Sequence, residues 1–321
     1  MKKNIAVLYG GYSSEYDISV KSSKQICQWL DKEKYNVYPV LVRHDGWFFP
    51  DEKGTLVDKS FFGIVQNKQQ IKFDYAYIII HGTPGENGLL PGYLEMMGIP
   101  HSTCSSKVSS LTFNKYFCKL LLRDLPVNLA KSLLIRKNEP YNLMSILNYV
   151  GLPCFVKPNN GGSSCGTSKV KSIEDWNKAI EIAFAEDSEV LVEEFIQGTE
   201  ISCGVVKTKT FSAALPVTEI IPKKEFFDYE AKYTPGMSEE ITPARINQRL
   251  YDLCQQYSLQ IYDFLGCNGI VRVDFIVRNE LLYFLEINTV PGMSEASIVP
   301  KQAEHYGISM TELLTHIIEN K

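Results

Sequence analysis

Residues 272–288 read RVDFIVRNELLYFLEIN, two apolar runs joined by the polar link Arg278-Asn279-Glu280. Side chains alternate faces along a strand, so Arg272 and Asp274 share one face of the first run, and Glu286 and Asn288 share one face of the second. The link predicts a hairpin. Folded that way, the two runs gather two carboxylates, an amide oxygen and a guanidinium on one sheet surface. That donor set suits Mg²⁺ rather than zinc, and a divalent metal beside a transferable phosphate is the chemistry it predicts. A hairpin with solvated polar faces is the alternative with the same composition.

The chain around this hairpin has 321 residues, more than one hydrophobic core usually supports, so two or three packed domains are expected. Its hydrophobic content of 45%, charged content of 22% and net charge of −4 predict a globular protein with neither nucleic acid nor membrane as partner. Met1-Lys2-Lys3 leads into a short apolar run ending at Gly10-Gly11, too short for a signal peptide or a span, and is read as the entry to the first strand. Eight cysteines form no C-x-x-C pair and no zinc-like grouping with the five histidines. They are read as reduced thiols of a cytoplasmic protein, with Cys165 set apart by its glycine-rich surroundings.

From residue 1 to 103, the runs IAVLYG (5–10), YNVYPVLV (35–42) and YAYIIIHG (75–82) alternate with a helical pattern near Ile18–Leu30. This is the rhythm of a parallel α/β layer, whose functional groups collect at the carboxyl ends of the strands. The turns GGYSSE (10–15) and HGTPGENG (81–88) lie there; neither is G-x-G-x-x-G, and each reads equally as a plain turn. Residues 104–194 predict a small α+β sandwich. It has helices around Thr112–Arg123, Tyr141–Tyr149 and 174–185, a strand in LAKSLLI (129–135), a hairpin CFVKP…TSKV and a strand VLVEEFI (190–196). Residues 195–321 predict antiparallel runs EISCGVVK and TFSAALPVTEII, a lid-like polar loop over 222–240, a long helix at 243–264 and the opening hairpin.

Within KPNNGGSSCG (157–166), glycines and two hydroxyls can wrap an anion, although the G-K-[ST] ending of a P-loop is missing. Lys157 ends an apolar strand and so needs an anionic partner. Lys115 sits in a helix and reads locally as a surface lysine. The strand end at Glu193-Glu194 can offer main-chain groups to an adenine edge, with Glu200 placed for ribose hydroxyls; a solvated acidic strand end is the alternative.

Taken in order, HGTPGENG, KPNNGGSSCGTSKV, VLVEEFIQGTE, FDYEAKY, RVDFIV and LEINTVPGMSEASIVP resemble the D-alanine–D-alanine ligase family of the ATP-grasp superfamily over nearly the whole chain. The resemblance implies a three-domain fold of mixed α/β and α+β character, divided as 1–103, 104–194 and 195–321. It also implies ATP held between the central and C-terminal sheets, two Mg²⁺ ions with Mn²⁺ able to replace them, a homodimer, and D-alanine joined in the cytoplasm for peptidoglycan. Carried over by position, Lys115, Lys157, Ser163, Ser164 and Lys232 would hold ATP phosphates. Glu193, Glu194, Phe195 and Ile196 would frame the adenine, and Glu200 the ribose. Asp274, Glu286 and Asn288 would bind the metal ions.

Glu15 would receive the ammonium of the first D-alanine, with His81 beside its carboxylate, and Ser297 and Ile298 would receive the second. Tyr233, Ser163 and Glu15 would link when the lid closes, and its aromatics Phe226, Phe227, Tyr229 and Tyr233 would keep water from the acyl phosphate, with ordinary packing as the alternative and as the reading of Phe226. The reaction so implied needs no enzymic nucleophile but does need donors for a tetrahedral oxyanion, for which Arg272 and the N–H of Gly292 are selected. Phe227, Gly161 and Ile298 depart from the commonest family pattern, which bears on loop mobility and the second subsite. A ligase of the same fold with other substrates, or a nucleotide-binding regulator, would share the phosphate and metal residues.

Overall fold

The structure, a computed structural model, describes residues 2–222 and 238–319. The expectations for Lys232, Tyr233, Phe226, Phe227 and Tyr229 fall outside these residues.

Six strands build the first layer: β1 (Lys3–Gly10), β2 (Tyr35–Arg43), β3 (Gly46–Phe48), the β4–β5 hairpin (Gly63–Gln66, Gln69–Lys72) and β6 (Tyr75–Ile78). Their main sheet runs β3-β2-β1-β6, with β1 parallel to both β2 and β6. Ile5, Ala6, Val7 and Leu8 are all fully buried, because a parallel strand is covered on both faces. Past β1 the chain turns through Gly10 and Gly11 at φ +96° and +94°. A Cβ on Gly11 would stand 2.5 Å from Ile80 Cγ2. Only glycine fits there. The turn thereby lays residues 12–15 against the loop after β6, with Tyr12 N–H donating to Thr83 O at 2.9 Å.

β7 (Asn128–Leu129) belongs to the third sheet, while β8 (Ser132–Arg136), β9 (Cys154–Pro158), β10 (Ser168–Val170) and β11 (Glu189–Glu194) form the second, in the order β10-β9-β11-β8. The expected strand 129–135 is thus split between two sheets. The expected helix 112–123 is also two, Ser106–Phe113 and Lys115–Leu121, because Asn114 leaves helical geometry to cap the second with its side chain on Phe117 N–H at 2.9 Å.

The third sheet takes β12 (Thr199–Lys207), β13 (Ser212–Ala214), β14 (Thr218–Pro222), β15 (Ser238–Ile241), β16 (Gly269–Arg278) and β17 (Leu281–Asn288). Its order is β15-β14-β12-β16-β17-β7, with β13 beside β12. The loop expected over 222–240 needs correcting at both ends. Pro222 pairs with Ser238 and Ile220 with Glu240, which extends the sheet to the edge of the described residues. Helix Gln248–Leu265 starts later than expected, where Asn247 accepts from Leu250 N–H at 3.0 Å.

The opening hairpin forms as read. Asn279 and Glu280 both take positive φ, 50° and 60°, the geometry of a two-residue turn matched to strand twist. One feature was illegible in the pattern: Asp274 faces Glu286 but Phe275 faces Phe284, so Leu285 is an extra residue on β17. Such bulges re-aim side chains beside functional sites.

Helices Ile298–Tyr306 and Met310–Glu319 pack between the first and third sheets, in a buried cluster that also holds Val206, Leu215 and Ile270. Val299, Ala303, Leu313, Leu314, Ile317 and Ile318 join the same buried cluster as β1, β2 and β6.

Candidate active site

A cavity of about 660 Å³ opens between the second and third sheets, and Lys115, Lys157, Ser164, Phe195, Glu200 and Glu286 are on its wall. Lys115, read locally as a surface lysine, is corrected here. It opens its helix, its N–H donates to Asn159 O at 3.1 Å, and its ammonium reaches Gly161 O, so the side chain is laid along the glycine loop. Asn159 is fully buried and ties the same places together, accepting from Tyr116 N–H at 2.9 Å and donating to Glu189 at 2.9 Å.

Lys157 has the anionic partner its burial demands, Glu193 Oε2 at 2.6 Å. Sequence reasoning missed a second cation on that carboxylate, Lys119, which ion-pairs with Glu193 Oε1. Burial first, then the neighbouring Lys157, holds the Lys119 pKa well below the ordinary lysine range. Its signal was the i, i+4 spacing from Lys115, which stacks the two lysines along one helix side.

One end of the cleft is lined by aromatic rings set edge to face. The Phe155 and Phe195 rings lie 5.7 Å apart, Lys169 Nζ stands 3.7 Å from the Phe195 centroid, and Ile196 and Phe284 are buried beside them. A slot of this kind fits a heteroaromatic base, with Glu194 and Ile196 among the residues that line it.

The glycine loop is held in an uncommon backbone state. Ser163 and Ser164 both have positive φ, 51° and 58°, which non-glycine residues rarely adopt outside ligand loops and strained turns. Ser163 Oγ donates to Glu15 Oε1, and Ser14 Oγ lies 3.1 Å from Cys165 Sγ, so the turn after β1 grips the loop. Gly162 makes that grip feasible: a Cβ there would lie 2.5 Å from Glu15 Oε2.

On the hairpin, Asp274 is 2% exposed and saturated with donors: Arg272 Nη2 at 2.7 Å, Ser202 Oγ at 2.6 Å and Asn288 Nδ2 at 3.0 Å. The structure thus brings together Arg272, Asp274 and Asn288 as read, and adds Ser202 from β12. Glu286 pairs across from Asp274 and faces the cleft. Among the described residues no three His, Cys, Asp or Glu side chains cluster as a metal cage. Two carboxylates and an amide instead fit a hard cation that takes its remaining oxygens from phosphate and water, as Mg²⁺ does.

The expected residues Glu15, His81, Gly292 and Ser297 lie where the turn after β1, the loop after β6 and the segment after β17 meet. Glu15 and His81 are both buried there. His81 Nδ1 is 2.7 Å from Val290 O, while its Nε2 has no hydrogen-bond partner among the described residues. Burial holds the imidazole pKa below its ordinary value, against the opposing pull of Glu15. Ser297 precedes helix Ile298–Tyr306, and its hydroxyl accepts from Ser294 N–H at 3.1 Å. Gly292 approaches that hydroxyl so closely that a Cβ would sit 2.9 Å from it. The positive end of this helix at Ser297 and Ile298 suits a carboxylate.

A nucleotide-shaped cleft between two sheets, with lysines on one wall and an acidic hairpin on the other, is the arrangement of ATP-grasp ligases, and the solved structures of that fold superimpose on this one. The VanG D-Ala:D-Ser ligase of Enterococcus faecalis aligns with a TM-score of 0.87 at 31% identity, covering 99% of both chains. A D-alanine–D-alanine ligase from Bacillus anthracis complexed with ATP aligns with a TM-score of 0.80 at 31% identity, covering 99% of this chain and 97% of that one.

By sequence, family models described as D-ala D-ala ligase N-terminus and C-terminus match residues 4–104 and 121–319. A D-alanine–D-alanine ligase of Azobacteroides pseudotrichonymphae is 48% identical over 322 residues, 99% of each chain. One of Bacteroides fragilis (strain YCH46) is 44% identical over 324 residues, 100% of each chain. The chain belongs to the D-alanine–D-alanine ligase family.

Proposed function

We propose that the site works through a D-alanyl phosphate. The chain is an ATP-dependent ligase that joins two molecules of D-alanine into the dipeptide for peptidoglycan synthesis. The carboxylate of the first D-alanine attacks the γ-phosphorus of ATP as the bond to ADP breaks. The amine of the second then attacks the acyl carbon, loses a proton and expels phosphate. What carries this reading is the contact of Glu15 with Ser163, which puts a substrate-binding carboxylate on the tip of the phosphate loop.

In this reading Lys115, Lys157, Ser163, Ser164 and Lys232 hold the phosphates, Glu193 to Ile196 frame the adenine, and Glu200 takes the ribose. Glu15 receives the first ammonium, and His81 lies beside that substrate's carboxylate. Ser297 and the backbone at Ile298 receive the second D-alanine, and Arg272 with the N–H of Gly292 stabilises the oxyanion. Tyr233 joins Ser163 and Glu15 in closure. Asp274, Glu286 and Asn288 would hold two Mg²⁺ ions, replaceable by Mn²⁺, which when bound supply charge neutralisation to the phosphate oxygens.

The test is phosphate release from Mg-ATP with D-alanine, L-alanine, D-serine, or D-alanine plus D-lactate, with products identified by mass. D-alanyl-D-alanine appearing only when the D-isomer is present is the expected result; a preferred D-alanyl-D-serine product would overturn the substrate assignment.

Replacing Gly162 by alanine is expected to lower kcat/KM for D-alanine by about 10²-fold, since a displacement near 1 Å at a substrate-orienting group costs that much. The KM for ATP should hardly move. Steady-state kinetics with each substrate varied decides it, and an unaltered kcat/KM for D-alanine would show that the contact of Glu15 with the loop is dispensable.

A homodimer is also proposed. Helix Leu89–Met96 leaves Leu89 64% and Met96 90% exposed, an apolar surface suited to a second copy. Light scattering should give a mass of about twice 36.4 kDa; the monomer mass at micromolar concentration would refute it. A cytoplasmic location is proposed as well, in keeping with eight free cysteines, and cell fractionation checks it.

A further inference from the structure

Glu86 sits in the loop that supplies His81, yet nothing in the mechanism above uses it. It is 8% exposed, and both of its carboxylate oxygens are taken by backbone donors from segments far apart in sequence. Oε2 accepts from Gly82 N–H at 2.8 Å and Oε1 from Val290 N–H at 3.1 Å. Val290 in turn offers its carbonyl to His81 Nδ1 at 2.7 Å. Gly82 follows His81 in the chain, so the bonds close a ring from His81 to Val290, from Val290 to Glu86, and from Glu86 back to the residue beside His81.

The ring joins the first layer to the segment that leaves the hairpin just past Asn288. We propose that Glu86 is a positioning residue for His81, clasping the loop after β6 to Val290 so that the imidazole presents Nε2 to the first D-alanine. A carbonyl can only accept, so Nδ1 must carry the proton, and Nε2 is left aimed away from the clasp with no partner among the described residues. Whichever protonation state Nε2 adopts against substrate, the ring plane is fixed from behind by Val290, and Val290 is fixed by Glu86. A buried carboxylate is costly without compensation, and the two N–H groups supply it. Burial still lifts the Glu86 pKa to about 7, with the Glu15 charge adding to it. A carboxylate kept in so unfavourable a place for hydrogen bonds to two backbone groups is consistent with a role in orientation.

The inference rests on His81 facing the first D-alanine, and the test separates the two claims. Steady-state kinetics are measured on the full chain for Glu86→Gln, His81→Ala and the double variant, varying D-alanine and ATP separately. Glutamine keeps the shape but sets a donor against one N–H. The expected result is a loss in kcat/KM for D-alanine of about tenfold to a hundredfold, an unchanged KM for ATP, and a double variant no worse than His81→Ala alone, because residues acting through one another are not additive.

If His81→Ala costs activity while Glu86→Gln does not, the clasp is overturned and the His81 reading stands. If the two losses multiply, Glu86 acts elsewhere and the proposal fails. If His81→Ala leaves D-alanine kinetics untouched, the His81 reading itself fails. Should Glu86→Gln not fold, Glu86→Asp carries the same comparison, since the shorter side chain keeps the charge but cannot span both N–H groups.

Discussion

Arg272→Ala is expected to lower kcat by about 10²–10³, the usual cost of one oxyanion donor, while nucleotide affinity stays within a few-fold. The lysines proposed to hold the nucleotide, Lys115 and Lys157, are positioned by Asn159, Gly161 and Glu193 rather than by Arg272, so the two functions should separate. The structure also offers a competing role, since Arg272 donates to both oxygens of Asp274, from Nε at 2.9 Å and Nη2 at 2.7 Å. Titrating the variant with Mg²⁺ decides between them. A kcat that recovers at saturating metal would mean that Arg272 serves only to orient Asp274, and a kcat near wild type throughout would remove it from the chemistry.

Asp274→Ala should be the most damaging single change, because it acts on both folding and catalysis. Removing the carboxylate takes from the Arg272 guanidinium, 18% exposed, its ion-pair partner at 2.7 Å, and breaking a buried pair on one side typically costs about 3–5 kcal/mol of stability. It also strips Ser202 and Asn288 of their shared acceptor. Turnover is expected to fall by about 10³, as the loss of several kcal/mol of metal-borne charge stabilisation implies. Denaturant unfolding and phosphate release measure the two effects separately. A variant that retains wild-type stability would show that Arg272 finds another anion, and one that retains turnover would end the metal assignment. Asp274→Asn gives the complementary case, keeping the volume but losing the charge and setting an amide donor against the donors on one of the two oxygens.

The hairpin, the glycine loop and the acidic strand end were legible because each is a local pattern: alternation at period two, a glycine-serine run, carboxylates closing an apolar stretch. What sequence could not supply was anything fixed by the meeting of distant segments. Lys115 looked like a surface residue because nothing near it in the chain reveals that Asn159 and Gly161 fold over it. Lys119 stayed hidden because a lysine on a short helix is buried only if a carboxylate from another sheet arrives. Glu86 lay inside a motif already singled out, but its two donors come from Gly82 and Val290, and only the fold brings the second within reach. Ser202 gave no signal at all, being one small residue in an apolar strand whose neighbour across the sheet is Asp274. The bulge at Leu285 was equally silent. It shows in the burial of Leu282, Phe284 and Ile287, where the spacing changes from two to three, once the strand's faces are known.

The sheet formed by the first strands is finished by residues 298–319, and Lys3 and Tyr35 both reach Glu319. A ribosome making this protein therefore delivers β1 and β2 long before the helices that cover them. The early sheet must wait, partly bare, for nearly the whole chain to emerge, since contacts across so wide a sequence separation are slow to close. Its exposed apolar face is what a nascent-chain chaperone would meet, and a transcript cut short before residue 298 yields a first domain with no lid on its core.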